Sequence, residues 1–183
     1  MRVIAGEFRS RVLKSLPGLD VRPTPDRMRE AVFSILAPRI EGVTFADLYA
    51  GTGAVGIEAL SRGARRAFFV EQDRKAVGVI RENLKSLGIE GRADVRQGRA
   101  SAVLSGLEAD IVFVDPPYHL DAEYESTLAG LGRKPPILVL VQHDVRRVLA
   151  ESYGALQRLR VLRQGDNCVT FYTSRTGKTP PSE

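Results

Sequence analysis

The chemistry-bearing stretch of this chain is Asp115-Pro116-Pro117-Tyr118, which follows the apolar run 109–114. It places a carboxylate, a rigid carbonyl and a phenol ring at the end of a buried strand. Two consecutive prolines lack N–H groups and fix their φ angles, so the Asp115 and Pro116 oxygens are free to accept hydrogen bonds from a ligand. Such a corner grips a flat ring bearing an amino group. The amino nitrogen of an aromatic base is a poor nucleophile because its lone pair is delocalised. Asp115 and the Pro116 carbonyl, each accepting one N–H, would aim that lone pair at a methyl donor while Tyr118 stacks on the ring. The proton then leaves to Asp115 or to water.

Gly51-Thr52-Gly53-Ala54-Val55-Gly56 is a second constellation. It follows one predicted strand and opens a helix, the context that gives a G-x-G-x-x-G spacing meaning. Glycines let the backbone approach a ligand, and the helix start offers unpaired N–H groups. Glu71, twenty residues after Gly51, stands where a carboxylate can hold two ribose hydroxyls. The spacing does not separate a dinucleotide from S-adenosylmethionine; the Asp-Pro-Pro-Tyr stretch favours the latter.

The elements that must position these residues alternate. Strands are expected over 44–50, 67–70, 94–97, 110–114 and 137–141, with helices over 54–61, 73–87, 99–104 and 121–131 between them. Asp73 caps one helix and Gly88 stops it. Repeated βα units predict an α/β fold with a mostly parallel, doubly wound, Rossmann-like sheet. Segments 156–162 and 168–173, joined by Gln164-Gly165-Asp166-Asn167, predict an antiparallel hairpin at one sheet edge. Ahead of the sheet, 2–8 and 10–14 fit a small β-hairpin. Arg22-Pro23-Thr24-Pro25 forces an extended passage, and a helix follows from Asp26, ending before Pro38. The expected organisation is an N-terminal basic extension over 1–24, a main domain over 25–174 and an untethered tail over 175–183.

Composition narrows the partners. The 183 residues carry 27 Lys plus Arg against 22 Asp plus Glu, net +5, and residues 1–30 hold seven basic and four acidic side chains, so +3 of the excess sits in the arm. That bias suits a polyanion, because basic groups release counterions from phosphates. No apolar run reaches the roughly 20 residues that span a bilayer, and the charged opening is no signal peptide, so a cytoplasmic location is expected. A lone Cys168 with only His119 and His143 gives no zinc-ligand spacing, and no metal is expected.

Residues 47–62, Asp115-Pro116-Pro117-Tyr118, the opening Arg2-Val3-Ile4-Ala5-Gly6 and the segment 22–30 together resemble the bacterial RsmD-type methyltransferases. The likeness runs from residue 2 to about 173. It implies a class I methyltransferase domain with a small RNA-contacting hairpin extension, transferring methyl from S-adenosylmethionine to a guanine N2 of 16S ribosomal RNA and leaving S-adenosylhomocysteine. By position, Asp47, Ala50, Gly51, Thr52, Gly53 and Glu71 would line the cofactor, with Gln72 beside the adenine. Asp115, Pro116, Pro117 and Tyr118 would receive the guanine. Arg99 and Ala100 stand where such enzymes usually have Asp or Asn for the adenine amino group, and an Arg side chain offers only donors. Either backbone near these two residues recognises adenine or Arg99 turns outward. Arg2, Arg9, Arg11, Arg22 and Arg27 are the candidate phosphate contacts. The implied partner is small-subunit rRNA, free or in an assembling 30S particle; a monomer is the default expectation.

An adenine-N6 methyltransferase would use the same grip, but the N-terminal signature argues against it. An NAD-dependent oxidoreductase shares the glycine turn and Glu71, yet leaves Asp-Pro-Pro-Tyr without a role.

Overall fold

The computed structural model describes residues 1–16, 26–117 and 119–174. Eight strands form one sheet in the order β3-β2-β1-β4-β5-β8-β7-β6. They are β1 (Thr44–Asp47), β2 (Arg66–Glu71), β3 (Ala93–Gln97), β4 (Ile111–Val114), β5 (Leu138–Asp144), β6 (Ser152–Tyr153), β7 (Leu156–Gln164) and β8 (Asn167–Ser174). The helices are α1 (Asp26–Leu36), α2 (Ala54–Ser61), α3 (Arg74–Leu87) and α4 (Asp121–Leu131).

Strands β1 to β5 pair in parallel, and their buried faces explain the near-continuous apolar runs of β1, β4 and β5. The chain order reverses between β1 and β4, which places the crevice for a ligand beyond the carboxyl ends of those strands. The predicted hairpin is present as β7 and β8, with β8 inserted antiparallel between β5 and β7. The short helix expected over 99–104 is instead two 3-10 turns, Ala100–Ala102 and Leu104–Gly106. Their apolar residues lack the length to propagate an α-helix.

Helix α3 has the predicted ends. Asp73 Oδ1 accepts from the N–H groups of Lys75 (2.7 Å) and Ala76 (2.9 Å), and Gly88 adopts a left-handed φ of 70°. On one sheet face, α1 buries Met28, Val32, Phe33 and Leu36 against Phe45, Phe113, Leu140 and Phe171. Each such side chain contributes roughly 1.5–3 kcal/mol. On the other face, α4 buries Tyr124, Leu128 and Leu131 against Val112, Val139 and Tyr172.

Residues 1–14 form the expected hairpin as a turn closed by the antiparallel bridge Arg2↔Val12. A longer ladder is replaced by bonds to the main domain. Ile4 and Ala5 donate to the Glu58 carboxylate of α2 (2.8 and 3.0 Å), and Phe8 donates to Ser61 Oγ (3.0 Å). Val3, Phe8 and Leu13 are buried with Ile57, Leu60, Ile80 and Leu84, so the arm is seated on α2 and α3. Gly6 permits this: a Cβ there would stand 1.9 Å from the Ser61 carbonyl oxygen.

Glu58 is wholly buried yet fully engaged, because Arg62 Nε donates to it at 2.7 Å and Arg29 Nε lies 3.7 Å away. Arg29, itself buried, also donates to the Arg2 carbonyl (2.7 Å) and to Asp26 (3.1 Å). Burial lowers the Arg29 pKa, with Glu58 opposing that shift. A carboxylate and a guanidinium of this kind tie the arm, α1 and α2 together.

Candidate active site

The end of β1 delivers Asp47, and the chain then turns through Gly51 (φ 54°) and Gly53 (φ 85°) into α2. The third glycine is needed for close packing: a Cβ on Gly56 would stand 2.3 Å from the Phe69 ring of β2. With helix and strand this close, Gly56 N–H reaches Asp47 Oδ2 at 3.3 Å. Glu71, at the end of β2, accepts from Gly51 N–H (2.8 Å) and Asp73 N–H (2.9 Å). Glu71 thus shapes the glycine turn as well as facing the crevice, and its oxygens retain further lone pairs.

Asp115 follows β4. Its Oδ2 accepts from Gln142 Nε2 on β5 at 3.0 Å. The Pro116 carbonyl accepts from the Tyr124 hydroxyl of α4 at 3.3 Å, and the same hydroxyl donates to the Gln142 carbonyl at 3.1 Å. The expectation that both oxygens of this corner are free is therefore corrected: each carries one protein bond and keeps capacity for another. Gln142 and Tyr124 are not legible from sequence as site residues, because a polar residue ending an apolar strand and a Tyr within a helix carry no local signal. Only strand adjacency brings them to Asp115.

Burial pushes the Asp47 carboxyl up to about 7, against the opposing Gly56 N–H and with help from the charge on Glu71. Burial first, and Asp47 second, hold Asp115 well above the usual carboxylate range. Three carboxyl groups on the ends of β1, β2 and β4 therefore make a corner that favours a cation or an N–H donor.

The other expected residues fall as follows. Ala50 is buried in the turn and Thr52 half-buried, its carbonyl accepting from Asn83 Nδ2 at 3.1 Å. The Gln72 carbonyl lies near Gln97 Nε2, 3.4 Å away. Arg99 is exposed, whereas Ala100 is buried. Pro116 is buried and Pro117 exposed. Arg2, Arg9, Arg11 and Arg27 are exposed, and Arg11 also donates to the Ser86 carbonyl at 3.0 Å. Tyr118 and Arg22 lie outside the described residues, as do the passage 23–25 and the tail 175–183. Phe45 is core, 6.1 Å from Phe33 between ring centres, and the Tyr49 hydroxyl binds Glu123 and Thr127. His143 is a clamp, its Nδ1 donating to the Asp144 carbonyl (2.9 Å) and its Nε2 accepting from Thr170 (2.8 Å). A hollow of about 530 Å³ bordered by Thr44, Arg65, Phe68 and Leu107 lies at the opposite, amino ends of the strands.

A parallel sheet with an inserted antiparallel strand and a glycine turn facing an Asp-Pro-Pro corner define a class I methyltransferase fold. The protein-family model described as "Conserved hypothetical protein 95" matches residues 1–173. YlbH of Bacillus subtilis is 33% identical over 186 residues, 96% of this chain and 100% of that protein. Ribosomal RNA small subunit methyltransferase D of Haemophilus influenzae is 36% identical over 152 residues, 79% of each chain. The solved structure of yhhF from Escherichia coli superposes with a TM-score of 0.85 at 34% identity, covering 97% of this chain and 99% of that one. The chain belongs to this family, the RsmD-type methyltransferases.

Proposed function

We propose that this protein methylates the exocyclic N2 of a guanine in small-subunit ribosomal RNA, using S-adenosylmethionine. The class of reaction and the rRNA substrate rest on the family and on relatives named for rRNA methylation. The observation that carries the finer reading is the Asp115 carboxylate, which stands beyond β4 beside the glycine turn and Asp47 with one bond from Gln142 and room for another.

The crevice fits the cofactor. A Cβ on Gly53 would sit 3.3 Å from Ile80, so the turn stays narrow. Glu71 keeps acceptor capacity for ribose hydroxyls, and Asp47 and Glu71 suit a ligand bearing positive charge. S-adenosylmethionine would supply an electrophilic methyl group there. Asp115 and the Pro116 carbonyl orient the guanine amino group, Pro117 borders it, and Tyr118 is assigned the stacking role. Asp115 accepts the proton released as the nitrogen is alkylated, and burial, with the charge on Asp47, raises its carboxyl above the usual carboxylate range and so makes it a stronger base than an exposed aspartate. The base must leave its stack, which costs least in a loop or bulge. Residues 1–24 serve as the RNA-facing extension and 25–174 as the catalytic domain.

The deciding experiment compares wild type and Asp115→Asn on rRNA from a strain lacking the activity, with the methylated base mapped by mass spectrometry. Wild type is expected to yield N2-methylguanine. The variant is expected to bind S-adenosylmethionine normally and lose methyl transfer by a hundredfold or more, in line with the loss of general-base catalysis. N6-methyladenine as the product would overturn the base assignment, and full turnover by the variant would overturn the role of Asp115.

A further inference from the structure

Gln142 is 2% exposed, on β5 directly beside the residue that follows β4, since Val114 pairs with Val141. Its Nε2 donates to Asp115 Oδ2 at 3.0 Å, whereas its Oε1 is enclosed and has no hydrogen-bond partner among the described residues. A buried, unpaired amide oxygen costs about 1–3 kcal/mol. An apolar side chain of similar volume would avoid that cost, so the bond to Asp115 is the reason an amide stands here. The Gln142 backbone joins the same brace: its carbonyl and that of Pro116 share the Tyr124 hydroxyl at 3.1 and 3.3 Å, and the Arg147 guanidinium covers the Tyr124 ring at 4.1 Å.

We propose that Gln142 is the positioning residue of the active site: it pins Asp115 Oδ2 with a neutral donor, so that Oδ1 is the acceptor presented to the substrate amino group. This rests on the catalytic reading of Asp115 given above. Any acid in place of the amide would set a second carboxyl against Asp115, and an apolar residue would leave Asp115 unheld. The groups facing Asp115 are Asp47 from β1, Gln142 from β5 and, through Pro116, Tyr124 from α4. Glu71 acts on Asp47, and His143 is turned to Thr170 on β8. Among these, Gln142 alone donates to the carboxylate, and an N–H bond to the charged form favours that form.

The test uses two variants of the full chain, Gln142→Leu and the isosteric Gln142→Glu. The Asp115 carboxyl is titrated by carbon-13 NMR without ligand, and the pH profile of kcat is measured on rRNA. In Gln142→Leu the Asp115 midpoint and the acid limb of kcat should rise together by about one to two pH units, the worth of a lost bond to a charged group. In Gln142→Glu the two carboxyls should titrate as a coupled pair, moving the limb further in the same direction. The affinity for S-adenosylmethionine should stay within twofold of wild type. An Asp115 midpoint unchanged in Gln142→Glu would overturn the proposal, and that variant serves even if Gln142→Leu fails to fold. Because the titration needs no turnover, it decides the Gln142 contact even where Asp115→Asn proves active and the catalytic reading fails.

Discussion

Asn83 Nδ2 donates to the Thr52 carbonyl at 3.1 Å and to the Lys14 carbonyl at 3.1 Å, while its Oδ1 accepts from Lys14 N–H at 2.8 Å. One buried amide on α3 thus joins the glycine turn to the arm. Its orientation is dictated by chemistry, since a flipped amide would face N–H with N–H and oxygen with two oxygens. Asn83→Asp keeps the acceptor but sets a carboxylate against both carbonyls. It should destabilise the fold by about 1–3 kcal/mol. It should also raise the Kd for S-adenosylmethionine several-fold and speed amide exchange over residues 3–14. Hydrogen exchange and calorimetry check this; a protected arm with unchanged affinity would break the proposed link.

Asp47 predicts how stability varies with pH. Its carboxyl is held up to about 7 in the folded protein against 3.8 when free. The folded state therefore keeps a proton that the unfolded chain sheds. That contribution is fully present below pH 3.8 and is lost as pH rises through about 7. Ligand-free wild type should lose stability between pH 5 and 7, and Asp47→Asn should lose less, by as much as about 3 kcal/mol at 1.4 kcal/mol per pH unit. Urea melts across that range measure it. Parallel curves for the two proteins would show that Asp47 is ionised throughout.

The exposed arginines of the arm predict how binding responds to salt. Replacing Arg2, Arg9, Arg11 and Arg27 by Gln should weaken rRNA binding and flatten the plot of log K against log salt. The slope should fall by roughly 0.7–0.9 for each phosphate that is no longer neutralised. Affinity for S-adenosylmethionine should not change. A slope identical to wild type would move the RNA-binding face elsewhere on the surface.

Much of the frame is legible in the sequence because it is local. The alternation of apolar runs and helical spacings, the Asp73 cap, the Gly88 stop and the glycine turn each depend on neighbours within a few residues. So does the Asp-Pro-Pro corner. What the sequence hides depends on residues far apart along the chain. Glu58 looks like an ordinary polar helix residue until Ile4, 54 positions away, donates to it. Asn83 meets Lys14 across 69 positions, and Gln142 meets Asp115 across 27. The placement of β8 between β5 and β7 also follows from strand pairing, on which alternation is silent. Arg29 differs in kind: nothing in its spacing marks it out, yet it pairs with Asp26 and is drawn inward by the arm and Glu58.

The seating of the arm on Glu58, Ser61 and Asn83 sets an order of events during synthesis. Residues 3–14 leave the ribosome while their receptors on α2 and α3 are still untranslated, so their first surroundings are solvent and the tunnel exit. They can settle only after some seventy further residues have emerged, and closing a loop of that length slows the final docking step rather than the first. Until then Val3, Phe8 and Leu13 remain uncovered on a nascent chain.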